Sequence, residues 1–206
     1  MNFGCLARVD SIDKDILSAL KQAGCKHIYH GIESGSPRVR ELLDKQIKNN
    51  TNKYIIDTIK TELKMGFQIT ASFMSAIPFE TKKDIEQTYK LAKLLKENGC
   101  KIQLWLLTPY KGLQLIKDYK KQLIKIDRTK YNLQLDIFDK GQFYLYRNFI
   151  DKYGKYNADN YMFLPKDMNL KDFIDYFHKI QKDLGLLKEN KQLSKKEIFV
   201  LENIKK

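Results

Sequence analysis

The stretch Lys26-His27-Ile28-Tyr29-His30-Gly31-Ile32-Glu33-Ser34-Gly35-Ser36-Pro37 decides the fold. Residues 26–32 have the apolar, β-prone character of a strand, and the Gly/Ser run after Glu33 breaks it. Ser36 then reads as a helix N-cap and Pro37 as the first helical residue, since proline lacks the N–H that a first turn leaves unpaired. A strand that leads through a short turn into a helix start is half of a βα unit.

The same unit recurs on both sides. Upstream, residues 3–9 form a short apolar-rich stretch, and Asp10-Ser11-Ile12-Asp13 supplies capping oxygens. Ile16, Leu20 and Ala23 then mark one helical face, which stops at Gly24. Downstream, Ile55, Ile59 and Leu63 stand at i, i+4 and i+8, predicting a helix over 54–65 that ends at Gly66. Residues 67–73 are the next strand. Thr81 or Lys82 opens a helix with Ile85, Tyr89, Ala92 and Leu95 on its apolar face, closing at Gly99. Residues 101–107 (KIQLWLL) are the fourth strand. Crossover helices between strands predict a parallel sheet. Alternation alone fits both an open doubly wound sheet and a barrel; the lack of GxGxxG after the first strand weighs against a dinucleotide fold.

The pattern changes near residue 115, which divides the chain into a βα unit over 1–115 and an aromatic-rich, mainly helical region over 116–206. Asn169 caps the most regular helix, with Leu170, Phe173, Ile174, Phe177, Ile180 and Leu184 in one core-facing stripe. Ser194-x-x-Glu197 is a capping-box pattern for a last short helix.

Composition narrows the function classes. The formal charge is +13, yet most lysines alternate with Glu62, Asp84, Glu86 and Glu97 as on solvated helix faces. No RNP motif, KH loop, zinc finger or arginine-rich arm is present, so specific nucleic-acid binding is not expected. The charge keeps one alternative open, a non-catalytic module that binds RNA. There is no run of eighteen uncharged apolar residues, and Met1-Asn2-Phe3-Gly4-Cys5 does not resemble a signal peptide; the expectation is a cytoplasmic protein with no membrane association. Cys5, Cys25 and Cys100 form no CxxC pair and read as separate, reduced, half-buried thiols that hold no metal. His27, His30 and His178 form no evident triad; His30 reads first as a hydrogen-bonded structural histidine, with a place at the barrel mouth near Glu33 as its alternative.

Four patches at strand ends carry a resemblance: Ala7-Arg8-Val9-Asp10, Gly31-Ile32-Glu33-Ser34-Gly35-Ser36, Phe73-Met74-Ser75-Ala76-Ile77-Pro78-Phe79-Glu80-Thr81 and Leu107-Thr108-Pro109-Tyr110-Lys111-Gly112. In this order and spacing they resemble the second half of the radical SAM core, cobalamin-dependent-type members being the closest look-alikes. The resemblance implies an α/β fold: a partial TIM-type (β/α) barrel, represented by its strands three to six, truncated at the N-terminus and followed by a helical C-terminal extension. In that family a CxxxCxxC segment holds a [4Fe–4S] cluster, which reduces S-adenosylmethionine to a 5′-deoxyadenosyl radical. No CxxxCxxC occurs here, so the chain alone is expected to lack the cluster and to be inactive; it reads as a fragment of a disrupted or mis-started gene, as half of a split enzyme whose partner chain supplies the front half of the barrel, or as a truncated member with another role.

The same resemblance implies roles for particular residues. Glu33 and Ser34 match positions that contact the ribose or methionine part of S-adenosylmethionine; capping of the following helix is their alternative role. Arg8 matches an arginine that faces the cosubstrate carboxylate, with an ordinary salt bridge as its alternative. The turn at Ala76, Ile77 and Pro78 matches the one that lets backbone approach the adenine. A shallow pocket is expected there, polar at Glu33 and Ser34 and apolar beside Ile77. Ala76 and Phe79 replace glycines usual in that turn; Ala76 is tolerable if its φ is negative, and Phe79 is costly if the turn needs a positive φ. Lys111 and Leu113 stand where proline and threonine are usual.

Overall fold

A computed structural model describes residues 1–45, 47, 49–110, 112–126, 131 and 161–186. Four parallel strands form its centre: β1 (Phe3–Ala7), β2 (Cys25–Glu33), β3 (Gln68–Ser75) and β4 (Lys101–Leu106). They lie in the order β1-β2-β3-β4, without the reversal of a doubly wound sheet. Register follows from pairs such as Cys5 with Ile28, Ile28 with Ile69, and Phe73 with Leu104. The order and direction match those expected, and the architecture is an α/β fold built on a parallel four-stranded sheet.

The helices connect as expected. Between β1 and β2 lies α1 (Lys14–Gln22), capped by Asp13, whose carboxylate accepts from the Ile16 N–H at 2.8 Å. Its core contact is Leu17, with Leu20 partly buried, while Ile16 is 42% exposed, so the buried face is rotated one residue from the Ile16-Leu20-Ala23 reading. Next come α2 (Pro37–Leu42), capped by Ser36, and α3 (Asn52–Lys64), capped by Thr51. The helix α4 (Lys82–Glu97) opens on a complete capping box between Thr81 and Asp84.

Beyond β4 a short α5 (Gln114–Asp118) leads through a 3₁₀ turn to β5 (Leu123–Lys125), which pairs antiparallel with β6 (Tyr161–Phe163). This small second sheet was not foreseen in a region read as mainly helical. The last described helix, α6 (Leu170–Asp183), is capped by Asn169 and buries the anticipated stripe. It lies beside α4: Tyr89 donates to Asp183 at 3.1 Å, and Lys82 sits over the Tyr176 ring. One apolar cluster joins Leu17, Ile28, Ile59, Phe73, Leu95 and Phe177, so α6 shares the core of the parallel sheet. The expected helix at Ser194 lies outside the described residues.

Strand alternation gives the sheet two different faces. Ile28, His30, Ile32, Ile69, Ala71 and Phe73 are buried under the helices. The opposite face carries Leu6, His27, Tyr29, Gly31 and Gln103, and Leu6 there is 83% exposed. No described helix is long and apolar enough to cross a membrane.

Candidate functional site at the carboxyl edge of the sheet

Parallel strands place the residues that follow them at one edge, so Arg8, Glu33 and the 76–80 turn share the C-terminal end of the sheet. Backbone strain gathers at the same edge. Among the described residues, Glu33 (φ 68°), Asp44 (φ 54°) and Ala76 (φ 63°) are the non-glycine residues in the left-handed region, and two of them are candidate site residues.

Glu33 follows an irregularity in β2 pairing, where Gly31 pairs with Ser72 and Glu33 with Phe73. Its carboxylate folds back over Gly31, so that a Cβ at 31 would meet Glu33 Oε1 at 2.6 Å. Lys45 Nζ pairs with that same oxygen at 2.7 Å. Glu33 does not cap α2; the Ser36 hydroxyl does, accepting from the Val39 N–H. The Ser34 hydroxyl is turned into the protein, 3.0 Å from Thr88 Oγ1, and accepts from the Ser36 N–H at 3.1 Å. Arg8 makes a two-pronged ion pair with Asp10 at 3.0 and 3.1 Å, and its side chain is 52% exposed.

The turn after β3 settles where its strain lies. The left-handed residue is Ala76, not Phe79. Ala76, Ile77 and Pro78 are buried as whole residues, so neither the expected apolar wall at Ile77 nor open backbone is exposed at this turn. Its surroundings hold it closely. Arg38 donates to the Phe79 carbonyl oxygen at 3.0 Å, and the Lys166 N–H donates to that of Glu80 at 2.8 Å. The Gln122 amide, oriented to suit its neighbours, donates to the Pro78 and Leu164 carbonyl oxygens. Phe79 packs on Tyr119. Lys111 lies outside the described residues.

Glu80 sits beneath this turn, wholly buried. One carboxyl oxygen accepts from the Ser75 hydroxyl at 3.2 Å and the Ile77 N–H at 3.4 Å, and the other has no partner. Burial pushes its carboxyl up to about 8, with nearby Asp84 adding to the rise. A neutral carboxylic acid is the form that such a site tolerates.

Three features escaped the sequence reading. Arg40 is fully buried and ties together Ser34 O, Asn50 and Asn52. Glu62 and Asp84, taken for members of solvated faces, are buried, Glu62 against His30 and Asp84 against Ser36, Thr81 and Arg38. His30 therefore lies under the helices, not at the barrel mouth. The signal for Glu62 was present, because it stands seven residues after Ile55 on the same helix face.

The cysteines are nearer than their spacing suggested: Cys5 and Cys25 Sγ are 3.9 Å apart on neighbouring strands. Burial raises the Cys5 thiol to about 11 and the Cys100 thiol to about 12. Among the described residues no three His, Cys, Asp or Glu side chains converge on a metal position.

Comparison with known proteins gives a family match over the first part of the chain. A model of the radical SAM superfamily matches residues 2–92. These residues are a radical SAM segment. Over 109 residues the chain is 38% identical to an uncharacterised methyltransferase of Pyrococcus horikoshii, covering 53% of this chain and 23% of that protein. It is 30% identical over 125 residues to the bacteriochlorophyllide d C-8(2)-methyltransferase of Chlorobaculum tepidum, covering 58% and 26%. It is 24% identical over 147 residues to the anaerobic magnesium-protoporphyrin IX monomethyl ester cyclase of Rubrivivax gelatinosus, covering 68% and 26%. The chain thus spans about a quarter of the length of these relatives. The radical SAM match runs from β1 into α4, so it contains Arg8, Glu33, Lys45 and the 76–80 turn.

Proposed function

We propose that this chain supplies the S-adenosylmethionine-binding half of a radical SAM barrel. The observation that carries the reading is the gathering of Arg8, the strained Glu33 and the clasped Ala76–Pro78 turn at one edge of a radical SAM segment. Each part suits a piece of the cosubstrate. Glu33 can accept from an ammonium group or ribose hydroxyls, Arg8 can meet a carboxylate, and the clasped turn fixes the edge on which both stand. The described cysteines do not fit the [4Fe–4S] cluster, so no reductive step is assigned to them. The cluster-bearing βα units belong to another part of the barrel, on this polypeptide or on a partner chain.

Such a half binds and orients the cosubstrate. Without a cluster to hold the amino-acid end, the affinity should be about millimolar, near −4 kcal/mol. Calorimetric titration of the full chain with S-adenosylmethionine tests this, and Glu33→Ala should weaken binding at least ~5-fold. Absence of binding, or binding indifferent to Glu33, would overturn the reading.

A further inference from the structure

Between β4 and α5 two large apolar side chains stand in solvent. Tyr110 is 45% exposed and Leu113 40%, on a turn closed by the Leu113 N–H donating to the Tyr110 carbonyl oxygen at 3.2 Å. Lys117, Lys120, Lys121 and Lys125 follow within nine residues, all of them exposed. Tyr119 and Gln122 fix which way this segment faces. The Tyr119 ring packs on Phe79 with centroids 5.8 Å apart, and the Gln122 amide donates to the Pro78 and Leu164 carbonyl oxygens. Anchored inward at Tyr119 and Gln122, the segment keeps Lys117, Lys120 and Lys121 on its outer side.

These lysines are not neutralised. Elsewhere exposed lysines sit on carboxylates, Lys53 on Asp57 and Lys90 on Glu86. Among the described residues none of the four has such a partner. Asp118, the carboxylate inside the run, accepts instead from the Gln114 amide at 2.8 Å. Like charges held this close repel one another, and an anionic surface relieves that repulsion. A polynucleotide would satisfy the lysines but give Leu113 no apolar partner. A bilayer satisfies both, because apolar side chains enter its interface while lysines meet the headgroups. No described helix is long and apolar enough to cross a bilayer, and lying on one requires no such helix.

We propose that Tyr110, Leu113, Lys117, Lys120, Lys121 and Lys125 form a docking surface for an anionic lipid bilayer. Tyr110 and Leu113 enter the interface, and the four lysines bind phosphate headgroups. Because Tyr119 rests on Phe79, docking holds the 76–80 turn, and with it the carboxyl edge of the sheet, close to the membrane. The docking surface shares no residue with the proposed cosubstrate site, and its test needs no cosubstrate.

The test sediments the full chain with vesicles of mixed phosphatidylcholine and phosphatidylglycerol, and with vesicles of phosphatidylcholine alone. The chain should pellet with the anionic vesicles and stay in solution with the neutral ones. Each lysine at an anionic surface strengthens binding about fivefold, so Lys120→Gln combined with Lys121→Gln should weaken it about 25-fold. Leu113→Ser removes apolar surface, keeps a good N-cap for α5, and should weaken binding about tenfold. Lys83→Gln combined with Lys93→Gln, at exposed positions of α4, removes the same charge and should leave binding within about twofold. An equal loss in that α4 variant would trace binding to net charge and overturn the proposal. Failure to pellet, or pelleting with both kinds of vesicle alike, would overturn it too. Tighter binding of a single-stranded RNA oligonucleotide, with vesicle binding indifferent to Leu113→Ser, would reassign the lysines to a nucleic acid and likewise overturn it.

Discussion

The imidazole of His30 lies 2.9 Å from the Glu62 carboxyl group, and neither side chain is exposed to solvent. His30 Nδ1 sits 3.0 Å from the Ala7 carbonyl oxygen, which can only accept, so Nδ1 must donate. One further proton then lies between Nε2 and Glu62. The pair ties the end of β1 and the middle of β2 to α3, directly below the edge that carries Arg8 and Glu33. Removing one partner leaves a buried polar group without its bond, which costs about 3 kcal/mol. Urea unfolding of Glu62→Ala should show that loss, with Glu62→Gln, which can still donate to Nε2, losing less than about half as much. Equal losses in both variants would mean that packing, not the shared proton, holds this joint.

Glu80 gives stability a particular pH dependence. Its carboxyl is raised from 4.5 to about 8 by burial, against opposing hydrogen bonds from Ile77 and Ser75. Between those values the folded state keeps a proton that the unfolded chain has released. Stability from this group therefore falls as pH rises through that window and is level above it. Asp84 has the opposite sign: burial works to raise it, but bonds from Arg38, Ser36 and Thr81 prevail and hold it near 2, below its ordinary 3.8. Its contribution is present above about pH 4 and is lost as pH falls toward 2. Urea midpoints at about pH 5 and about pH 9 should decline for the unmodified chain, and Glu80→Gln should remove most of that decline. An unchanged decline in Glu80→Gln would place its source elsewhere.

The turn after β3 distinguishes two residues that looked alike in sequence. Ala76 holds φ 63°, a conformation costing about 1–2 kcal/mol for an L-residue with a Cβ. Ala76→Gly relieves that strain but adds unfolded-state entropy of roughly 0.5–1 kcal/mol. Thermal unfolding should therefore find Ala76→Gly unchanged or up to about 1 kcal/mol more stable. Phe79→Gly should be destabilised by more than about 1 kcal/mol, because it removes the Tyr119 contact. The reverse ranking would mean that the positive φ is misplaced.

Arg40 is a buried cation whose described bonds run to neutral oxygens: Asn50 Oδ1 and O, Asn52 Oδ1 and Ser34 O. Burial pulls its guanidinium down to about 10. Arg40→Leu strands those acceptors, so a loss of about 2–4 kcal/mol is expected. Amide exchange should speed up between residues 43 and 52 more than in β3. Uniform acceleration across both regions would deny Arg40 a local role.

The strands and helices were legible because their signals are local. Ser36-Pro37, Thr81 and Asn169 mark helix starts by chemistry that acts within one turn, and Gly24, Gly66 and Gly99 mark the ends with positive φ. Parallel direction followed from crossover length, whereas strand order followed only from the family resemblance. The site was only partly legible for the complementary reason. Arg8 and Glu33 could be placed at an edge, but their partners are set by backbone geometry: Asp10 two residues on, and Lys45 beyond a helix closed at Asp44. Ser34 is polar by type, and its bond to Thr88 on α4 is visible only once that helix is folded over the turn. The β5–β6 pair joins two three-residue strands whose mutual contact no short window can contain.

The central claim is that Arg8, Glu33 and the Ala76–Pro78 turn form one binding edge for S-adenosylmethionine. Backbone shift mapping by ¹⁵N NMR, with the cosubstrate added to the full chain, tests it most directly. Shifts gathered at residues 8–10, 31–35, 44–45 and 75–80, and lost together in Glu33→Ala, are the predicted result. Shifts elsewhere on the chain, or none at all as the cosubstrate approaches ~10 mM, tenfold above the expected Kd, would contradict it.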